Sequence, residues 1–440
     1  MRRLLLIAFA YPPIEVIGSV RPAALVKYLP RYGWEAVVLT PKRKVPRDSK
    51  QVIETGYRDV LTDWKARLGF DQKKGIHEQF GLPVAQKPGA VLLHTRALEL
   101  AKYLLTYPDP FKGWLPFAVG ALEELRRQKQ DISAIVSTSP PISCHLIGRQ
   151  AKNILGAPWI ADLRDLWTQN LGVSGPLFLQ RGLEKRTFKH ADVLVTVSDP
   201  WASRLQHRYP DKKVCTIPNG FDPDNYSSPA PPLTRDFTIS YTGQLYQDQR
   251  DPTALFEVLR DLLKEGAISA GDLRVRFYGP IEDWLPAVIK KHELEAVVEL
   301  HGPIPRDQVM THQRETQVLL ILPRSDPRET GHHSAKLFEY FAAGRPILAV
   351  GGSRGVLTEA LEETCAGVHA FTKTILREFL LRSYAEYKKN GKVSYAGKRS
   401  AIDRYSHPEM ARSFAEVLNS VANNEVRLEV SQPSMASRVV

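Results

Sequence analysis

Cysteine is scarce in this chain of 440 residues. Its three cysteines, Cys144, Cys215 and Cys365, are widely separated and odd in number. A disulfide framework needs paired cysteines and a zinc site needs closely spaced ligands, so the sequence indicates neither. A reducing cytoplasm is the simplest setting for such a chain, and we expect a cytoplasmic protein.

Long apolar runs are also absent. No segment approaches the roughly 18 uninterrupted apolar residues that a transmembrane helix requires. Near the N-terminus, Arg2 and Arg3 precede the apolar run LLLIAFA, which superficially resembles a signal peptide. The run is short and meets Tyr11-Pro12-Pro13 at once, so we interpret it as a first buried strand.

Several nucleotide-binding signatures are missing. The sequence has no Gly-x-Gly-x-x-Gly fingerprint of nicotinamide-binding enzymes and no Gly-x4-Gly-Lys-Ser/Thr loop of P-loop NTPases. No Asp-x-Asp pair follows a predicted strand, which argues against a diphosphate site bridged by a metal ion. We therefore expect neither a bound cofactor nor a metal ion.

Positive charge is in excess, with a net charge of +12 and a sequence pI of about 9.4. Such a balance favours anionic partners, namely nucleotide phosphates, nucleic acid or an acidic membrane face. Basic residues cluster in segments 41–50 and 180–190, the second holding Arg181, Lys185, Arg186 and Lys189. Aromatic residues are not interleaved with them, so we do not expect nucleic-acid binding. A peripheral membrane contact competes with an ordinary solvated surface.

The arrangement of apolar segments predicts two domains. The length exceeds the size at which single cores usually stop growing. Short apolar strands alternate with helical patterns in both halves, which predicts doubly wound parallel sheets with helices on both faces. We expect a first domain over residues 1–215, a Pro- and Asn-rich linker over 216–235 and a second domain over 236–405. A helix over 406–425 would cross back to the first domain, and 426–440 would be a disordered tail.

The segment 332–350, HHSAKLFEYFAAGRPILAV, reads as a helix that feeds a buried strand. Ser334 can cap the helix, and Gly344 stands where a left-handed residue ends it. The free N–H groups at its start favour phosphate, which Lys336 could also reach. Glu339 is a candidate acceptor for a ribose or sugar hydroxyl. The alternative is an ordinary amphipathic helix with a solvated glutamate.

Other candidate ligand residues follow predicted strands, whose carboxyl ends are where parallel sheets bind ligands. Gly18 and Ser19 precede a helix in the first half, and Gly243 and Gly279 end strands in the second. Arg250, shortly beyond Gly243, suits a diphosphate because a guanidinium offers forked donors and a permanent charge. A surface ion pair between Arg250 and a neighbouring aspartate is the competing interpretation.

The segment ADLRDLW places Asp162, Arg164 and Asp165 together at a strand end. A polar set at this edge could position reactants. Two carboxylates beside a guanidinium also commonly form a structural ion-pair set, and the sequence leaves both interpretations open.

Taken together, these segments resemble the retaining glycosyltransferases of family 4. The motifs YPP…GSxRPxxLxKYLPxxGWExxVLTP, IPNGFD, YTG…QRDP and KLFEYFAAGRPIL occur in the family's order and spacing, from the first strand to about Tyr405. The resemblance implies an α/β fold of two Rossmann-like domains facing a central cleft, the GT-B arrangement. Within the family the chain looks most like bacterial enzymes that build surface or exopolysaccharide repeat units.

The family's functional residues map unevenly onto this chain. Glu339 matches the second glutamate of the family's Glu-x7-Glu motif, which binds the ribose. Gly331 stands in place of the first glutamate, so its backbone or Glu329 would serve instead. Gln244 occupies the usual position of a phosphate-binding arginine, and Arg250 lies close to that of the partner lysine. The family's first-domain histidine has no counterpart, and the segment ADLRDLW is its nearest equivalent.

The resemblance implies transfer of a sugar, with retention and without a metal, from a UDP-, GDP- or ADP-linked donor to a saccharide or polyprenyl-diphosphate-linked acceptor. It places the donor on the second domain and the acceptor on the first, at the inner face of the cell membrane. The implied catalytic residues are Asp162, Arg164, Asp165, Arg250 and Lys336. The implied donor-binding residues are Gly18, Ser19, Gly243, Arg250, Gly279, Gly331, Ser334, Lys336 and Glu339.

Two other functions fit the same architecture. A sugar-nucleotide epimerase would need carboxylates and histidines in the cleft, and a phosphorylase would need a lysine for a pyridoxal cofactor. Neither signature stands out in the sequence. A non-catalytic binding or scaffold protein is the alternative from a different class, because the first glutamate and the histidine are missing.

Overall fold

The computed structural model describes residues 1–14, 16–42, 51–67, 101–169, 176–247, 249–324 and 331–423. The chain divides into two compact units, one formed by Met1–Ile217 with Ala411–Val440 and the other by Pro218–Met410. We call them unit 1 and unit 2. The proposed substitute Glu329, most of the basic segment 41–50 and the tail 426–440 lie outside the described residues.

Unit 1 contains a seven-stranded parallel sheet in the order β3-β2-β1-β4-β5-β6-β7. Its strands are β1 Arg2–Ile7, β2 Trp34–Pro41, β3 Val52–Thr55, β4 Ala134–Ser139, β5 Trp159–Leu163, β6 Val193–Thr196 and β7 Lys213–Thr216. Its helices are α1 Ile17–Tyr28, α2 Val60–Arg67, α3 Leu115–Arg127, α4 Ser143–Leu155, α5 Leu177–Phe188 and α6 Asp199–Arg208.

The first strand confirms the interpretation of the apolar N-terminal run. Leu4, Leu5, Leu6 and Ile7 are fully buried, because β1 lies in the interior of the sheet between β2 and β4. Strands buried on both faces have near-continuous apolar sequences rather than alternating ones. The run therefore belongs to the core of unit 1.

Unit 2 contains a six-stranded parallel sheet in the order β10-β9-β8-β11-β12-β13. Its strands are β8 Phe237–Thr242, β9 Leu273–Tyr278, β10 Val298–Gly302, β11 Val318–Ile321, β12 Ile347–Val350 and β13 Gly367–Ala370. Its helices are α7 Thr253–Lys264, α8 Leu285–Lys291, α9 Arg306–Glu315, α10 Ala335–Ala343, α11 Val356–Thr364, α12 Lys373–Asn390 and α13 Arg399–Ile402.

In unit 2 the strand order reverses at β8, which lies between β9 and β11. Crossover connections leave such a strand in opposite directions, so a crevice forms beyond its carboxyl end. The residues that follow β8, β9 and β11 therefore share one edge of the sheet. That edge includes Gly243 and Gly279.

The last long helix, α14 (His407–Ala422), supplies residues to unit 1. The indole N–H of Trp34 donates to the side-chain oxygen of Asn419 at 3.0 Å. The guanidinium of Arg21 lies 4.9 Å from the ring centroid of Phe414. These contacts attach α14 to the start of β2 and to α1.

Three helix boundaries bear on the predictions from sequence. Helix α1 begins at Ile17, so Gly18 and Ser19 lie within its first turn rather than before it. Helix α5 begins at Leu177, several residues ahead of the basic segment. Helix α10 ends as expected at Gly344, which is left-handed with φ 67°.

Ser334 occupies the N-cap position of α10 in an extended conformation, but its hydroxyl makes no capping hydrogen bond. The predicted cap is therefore wrong in its side-chain contact, although the position is right. Within the described residues, no helix has the length and apolarity needed to cross a membrane.

Candidate functional site

Two glycines bring the loops after β8 and β9 into close approach. Gly243 and Gly279 have φ values of 121° and 149°, which side-chain-bearing residues rarely adopt. A Cβ atom on Gly279 would lie 2.4 Å from the carbonyl oxygen of Gly243. The N–H of Gly243 donates to the carbonyl of Tyr278 at 2.6 Å, which locks the two turns together.

Lys336 lies directly beside this pair of turns. A Cβ atom on Gly243 would lie 2.7 Å from both the Cε and Nζ atoms of Lys336. The ammonium also lies 5.1 Å from the ring centroid of Tyr241. The α10 helix thus places one cation against bare backbone at the sheet edge, where a diphosphate could approach closely.

Electrostatics at Lys336 differ from those of a surface lysine. Burial, reinforced by the nearby positive charge of Arg250 and partly offset by Glu339, lowers the pKa of Lys336 to about 8. A partly desolvated cation is stabilised when an anion binds beside it. The lysine is therefore arranged to gain from a phosphate group.

Arg250 follows the β8 loop and lies over Tyr246, with its guanidinium 5.3 Å from that ring's centroid. It lines an open pocket together with Arg324, His332, Ser334 and the start of α11. Two helix N-termini, those of α10 and α11, face this pocket through Ser334 and Gly355. Two guanidinium groups and two helix starts make it a site for anions.

Glu339 projects from the second turn of α10 and is held by two neighbours. The side-chain amide of Gln313 donates to one carboxylate oxygen at 3.3 Å, and Arg306 donates to the other at 3.4 Å. Gln313 is fully buried and also donates to the hydroxyl of Thr242 at 3.0 Å. This network fixes a partly exposed carboxylate at the same edge as Gly243.

Gln313 and Arg306 were not identified from the sequence. Both belong to α9, whose sequence RDQVMTHQRE shows only a polar helix. The sequence also does not reveal a ring stack that includes His312 of this helix, in which Tyr278 of β9 stacks on His301 of β10 and on His312 at centroid distances of 4.6 and 4.5 Å. The segment HGPIP, which begins at His301, has the glycine and prolines of a turn and gives no sign of the stack.

The predicted residues of unit 2 thus fall into two neighbouring groups. Gly243, Gly279, Lys336 and Glu339 lie along the edge formed by β8 and β9, whereas Arg250 and Ser334 line the pocket. Gly331 is buried in the turn that leads to α10. Gln244 does not reach this pocket lining, since its amide donates to Glu282 at 3.1 Å.

In unit 1, Asp162 has a structural role. It is fully buried, and its carboxylate accepts from Arg21 at 2.9 and 3.0 Å and from the hydroxyl of Thr138 at 2.7 Å. No substrate can contact a group without exposed surface in this conformation. Asp162 therefore belongs to a structural ion pair, but with Arg21 rather than within the segment ADLRDLW, and its burial does not support the predicted catalytic role.

Arg164 is likewise occupied by the protein backbone. Its guanidinium donates to the carbonyls of Ser139 at 2.9 Å, Gly18 at 2.8 Å and Pro140 at 3.1 Å. It therefore fastens the start of α1 to the loop after β4, which is a positioning role rather than the catalytic one predicted. Asp165, partly buried, is the member of the trio that remains a candidate for substrate contact.

Gly18 and Ser19 are engaged in the same way. The carbonyl of Gly18 accepts from Arg164, and the hydroxyl of Ser19, which is only 5% exposed, donates to the carbonyl of Val16 at 2.8 Å. The Ser19 hydroxyl is thus used within the first turn of α1, and its assignment to donor binding is not supported. Among the described residues, no group of three or more histidine, cysteine or acidic side chains could hold a metal ion.

Residues 18–220 match the family model described as a glycosyl transferase 4-like domain. WcaL of Escherichia coli strain K12, named provisionally as a colanic acid biosynthesis glycosyltransferase, is 28% identical over 177 residues. The aligned segment covers 38% of this chain and 41% of WcaL, so the match spans less than half of that relative.

Solved structures match over almost the whole chain. Anabaena HepE in complex with UDP has a TM-score of 0.58 at 15% identity and covers 96% of this chain and 100% of its own. The α,α-trehalose 6-phosphate synthase of Burkholderia multivorans has a TM-score of 0.59 at 12% identity, covering 97% and 100%. At these identities the likeness concerns the fold.

The fold is that of the two-domain GT-B class, with Rossmann-like parallel sheets of seven and six strands, as the sequence predicted. The resemblance to the family-4 glycosyltransferases is also confirmed, since residues 18–220 match the model of a glycosyl transferase 4-like domain.

Proposed function

We propose that this protein is a glycosyltransferase that binds a nucleotide-sugar donor at the carboxyl edge of the unit 2 sheet. The observation that carries the proposal is the Lys336 ammonium seated against the Gly243 backbone, with Arg250 and the start of α10 close by. Permanent or buried positive charges beside glycine backbone suit a diphosphate, which is anionic and must approach closely. Glu339, held by Gln313, would accept from the ribose hydroxyls.

The chemistry follows from the leaving group. The bond between the anomeric carbon and the diphosphate oxygen breaks, and a bond from the acceptor hydroxyl to that carbon forms. Arg250, Lys336 and the N–H groups of α10 would stabilise the negative charge that develops on the diphosphate. The departing diphosphate would take the acceptor's proton on the same face of the sugar, so the configuration would be retained without a protein nucleophile.

Cationic side chains would replace a metal ion in this scheme, and nothing besides the nucleotide sugar would be needed as a cofactor. The donor would be a UDP-, GDP- or ADP-linked sugar. The HepE structures similar in fold were solved with UDP, UDP and glucose, and UDP-glucose, which makes UDP-sugars the first donors to test.

The acceptor would be a saccharide, linked to a polyprenyl diphosphate, in the biosynthesis of a polysaccharide or glycolipid. WcaL's name refers to such a polymer, colanic acid. The acceptor would bind unit 1, where Asp165 at the end of β5 is the remaining candidate for its positioning. Reaction with a lipid-linked acceptor would take place at the inner face of the cell membrane.

Two alternatives stay open to the same tests. An epimerase of this architecture would need acid and base groups near the sugar, and a scaffold would bind no nucleotide sugar. Calorimetric titration with UDP-, GDP- and ADP-sugars separates the scaffold from the enzymes. Product analysis with a lipid-diphosphate saccharide acceptor separates transfer from epimerisation and reports the anomeric configuration, and a parallel reaction with chelator tests the metal-free scheme.

Replacement of Glu339 tests the assignment of the ribose contact. We expect Glu339→Ala to reduce kcat/KM by about a hundredfold or more while the protein stays folded, because a charged hydrogen-bond acceptor to the bound donor is lost. Glu359→Ala, on the neighbouring helix α11 and exposed, is the matched control and should behave like wild type. Turnover near the wild-type rate in Glu339→Ala would show that this role is wrong.

A further inference from the structure

Helix α5 begins with three exposed apolar side chains. Leu177, Phe178 and Leu179 are 37%, 73% and 36% exposed, and Phe178 is the most exposed phenylalanine among the described residues. Large apolar side chains that are adjacent and unburied indicate an interaction surface more than single exposed ones do.

A fourth exposed apolar residue, Leu104, lies in a segment that is hydrogen-bonded to the start of α5. The hydroxyl of Tyr107 donates to the carbonyl of Leu179 at 2.9 Å, and the amide of Gln180 donates to the carbonyl of Pro108 at 3.0 Å. These bonds hold the helical residues 101–106 against the start of α5, and Leu104 in that segment is 57% exposed. We call Leu104, Leu177, Phe178 and Leu179 the apolar edge.

The exposed charges that follow the apolar edge are all positive. Arg181, Lys185, Arg186 and Lys189 are exposed on or at the end of α5. The single carboxylate of the helix, Glu184, is buried, where it is paired with Arg208 at 3.0 Å and hydrogen-bonded to Thr168. The surface of α5 therefore presents cations without an exposed anion of its own.

Arg186 shows that the basic residues of α5 lie near the apolar edge. Burial raises the pKa of Tyr107, and the positive charge of Arg186 opposes that rise, so the guanidinium lies within electrostatic range of the tyrosine. Since Tyr107 contacts the first turn of α5, the basic residues adjoin the apolar edge directly. Apolar side chains flanked by lysine and arginine are the pattern of helices that lie in a membrane interface.

The uniform positive charge favours a membrane over a second copy of the chain as the partner of the apolar edge. A symmetric dimer through the apolar edge would bring two sets of exposed arginines and lysines together, which costs free energy. An anionic bilayer instead offers phosphates to these groups while its acyl chains accept Phe178 and the leucines.

We infer that the apolar edge of unit 1 inserts into an anionic membrane and that Arg181, Lys185, Arg186 and Lys189 bind lipid phosphates around it. The inference rests on the proposed function only in naming a reason for the contact, because a polyprenyl-linked acceptor resides in that membrane. The occupant is a lipid bilayer, and insertion of Phe178 is the feature that separates this contact from adsorption by charge alone.

Flotation of the full-length protein with vesicles tests the inference. The wild type should bind phosphatidylcholine vesicles that contain about 30% phosphatidylglycerol more tightly than vesicles of phosphatidylcholine alone, and added salt should weaken binding. The double variant Leu177→Ser/Phe178→Ser should bind at least about tenfold more weakly, since an aromatic and an aliphatic group no longer leave water. Phe371→Ser, at a 43% exposed phenylalanine of unit 2, is its control and should bind like wild type.

The charge contribution is tested with paired lysine variants. Lys185→Gln/Lys189→Gln should lose most of the preference for anionic vesicles, whereas Lys389→Gln/Lys392→Gln, at exposed lysines of unit 2, should keep it. Insertion is measured with the variant Phe178→Trp. Its added emission is the difference between its tryptophan fluorescence and that of the wild type, which has seven tryptophans. The added emission of this variant should shift to shorter wavelength with vesicles and be quenched by lipids brominated on the acyl chain.

Three outcomes would overturn the inference: no wild-type binding to anionic vesicles at low salt, unchanged binding of Leu177→Ser/Phe178→Ser, or added emission of Phe178→Trp that vesicles leave unchanged. Loss of a dimer in the double serine variant, measured by sedimentation, would assign the edge to a second copy instead. Nucleotide titration of the same proteins keeps the proposals distinct. A protein that binds vesicles but no nucleotide sugar would refute the proposed function and leave the membrane contact standing.

Discussion

Lys336 is partly buried, and the proposed donor site depends on its positive charge. Burial and the charge of Arg250 bring its pKa to about 8, so in the free protein it loses its proton as the pH rises through that value. A bound diphosphate favours the protonated form and raises this pKa again. Binding of the nucleotide is thereby linked to protonation of a single lysine.

We predict that nucleotide affinity falls across this pH range. Between about pH 7 and pH 9 the Kd for UDP should rise about tenfold, because binding must then include uptake of a proton by Lys336. Two other groups change protonation little over this range. The second phosphate ionisation is largely complete by about pH 7. Burial raises the pKa of the nearby Tyr241 to about 12. Calorimetry should show weaker binding and a flat profile for Lys336→Met, and a profile as steep as that of wild type would assign the proton to another group.

A substitution at Gly243 tests the same site by changing its backbone conformation. We predict that Gly243→Ala weakens donor binding by about tenfold or more, since its Cβ would meet the end of Lys336 at 2.7 Å and φ of 121° is strained for alanine. Gly120→Ala is the control, because nothing lies within 4 Å of the added methyl in helix α3. Equal affinities of the two variants would mean that no ligand group depends on the Gly243 turn.

The sequence identified Lys336 and Glu339 because both lie within one helical motif with recognisable ends. It could not identify Gln313, whose contact with Glu339 joins positions 26 residues apart. Nothing in the polar sequence of α9 distinguishes a buried glutamine from a solvated one, because burial depends on which face of the helix meets α10. Contacts of this kind exist only after the elements pack.

At the scale of secondary-structure elements, the buried pair Arg21–Asp162 joins α1 to β5. Arg21 also donates to the carbonyl of Ile217 at 2.9 Å, just after β7, and lies over Phe414 of α14. Four elements of unit 1 therefore meet at one guanidinium. A charge in such a position needs its partner, because solvation by water is lost.

We predict that Asp162→Ala lowers the free energy of unfolding of unit 1 by about 3–5 kcal/mol, since it removes one partner of the buried ion pair with Arg21. Asp165→Ala, three residues on and partly exposed, should change it by less than about 0.5 kcal/mol. Urea titration followed by tryptophan fluorescence checks both, because six of the seven tryptophans belong to unit 1. Equal stability of the two variants would contradict the structural role of Asp162.

The elements that the sequence missed are short strands at or near the edges of the sheets. Strands β3, β7 and β13 have four residues each, and β7 falls where the Pro- and Asn-rich composition suggested the linker begins. Their apolar content is too low to mark them, and pairing with β2, β6 and β12 supplies their backbone hydrogen bonds. A neighbouring strand, not the local sequence, makes them extended.

At the scale of the whole molecule, each unit has its own apolar core. Residues such as Trp114, Trp159 and Phe188 fill that of unit 1, and Phe256 and Leu320 belong to that of unit 2. A donor that binds one unit stabilises that unit by mass action. The location of the nucleotide can therefore be read from unfolding.

We predict that UDP at about 100 times its Kd raises the unfolding temperature of unit 2 by about 5–10 °C and leaves that of unit 1 nearly unchanged. Calorimetry reports both transitions, and tryptophan fluorescence identifies the one that belongs to unit 1. A shift confined to the fluorescence-detected transition would place the nucleotide on unit 1 and refute the donor site.

By itself, the sequence determined the alternation of buried strands and amphipathic helices, the division into two halves and the helix motif that carries Lys336 and Glu339. These features are local, because side-chain periodicity and turn residues act over a few positions. The tertiary structure decided which polar residues line the proposed donor site. Asp162 and Arg164 bind other parts of unit 1, and Gln313 binds Glu339. Phe178 stays exposed. These outcomes depend on packing between segments that are distant in the chain.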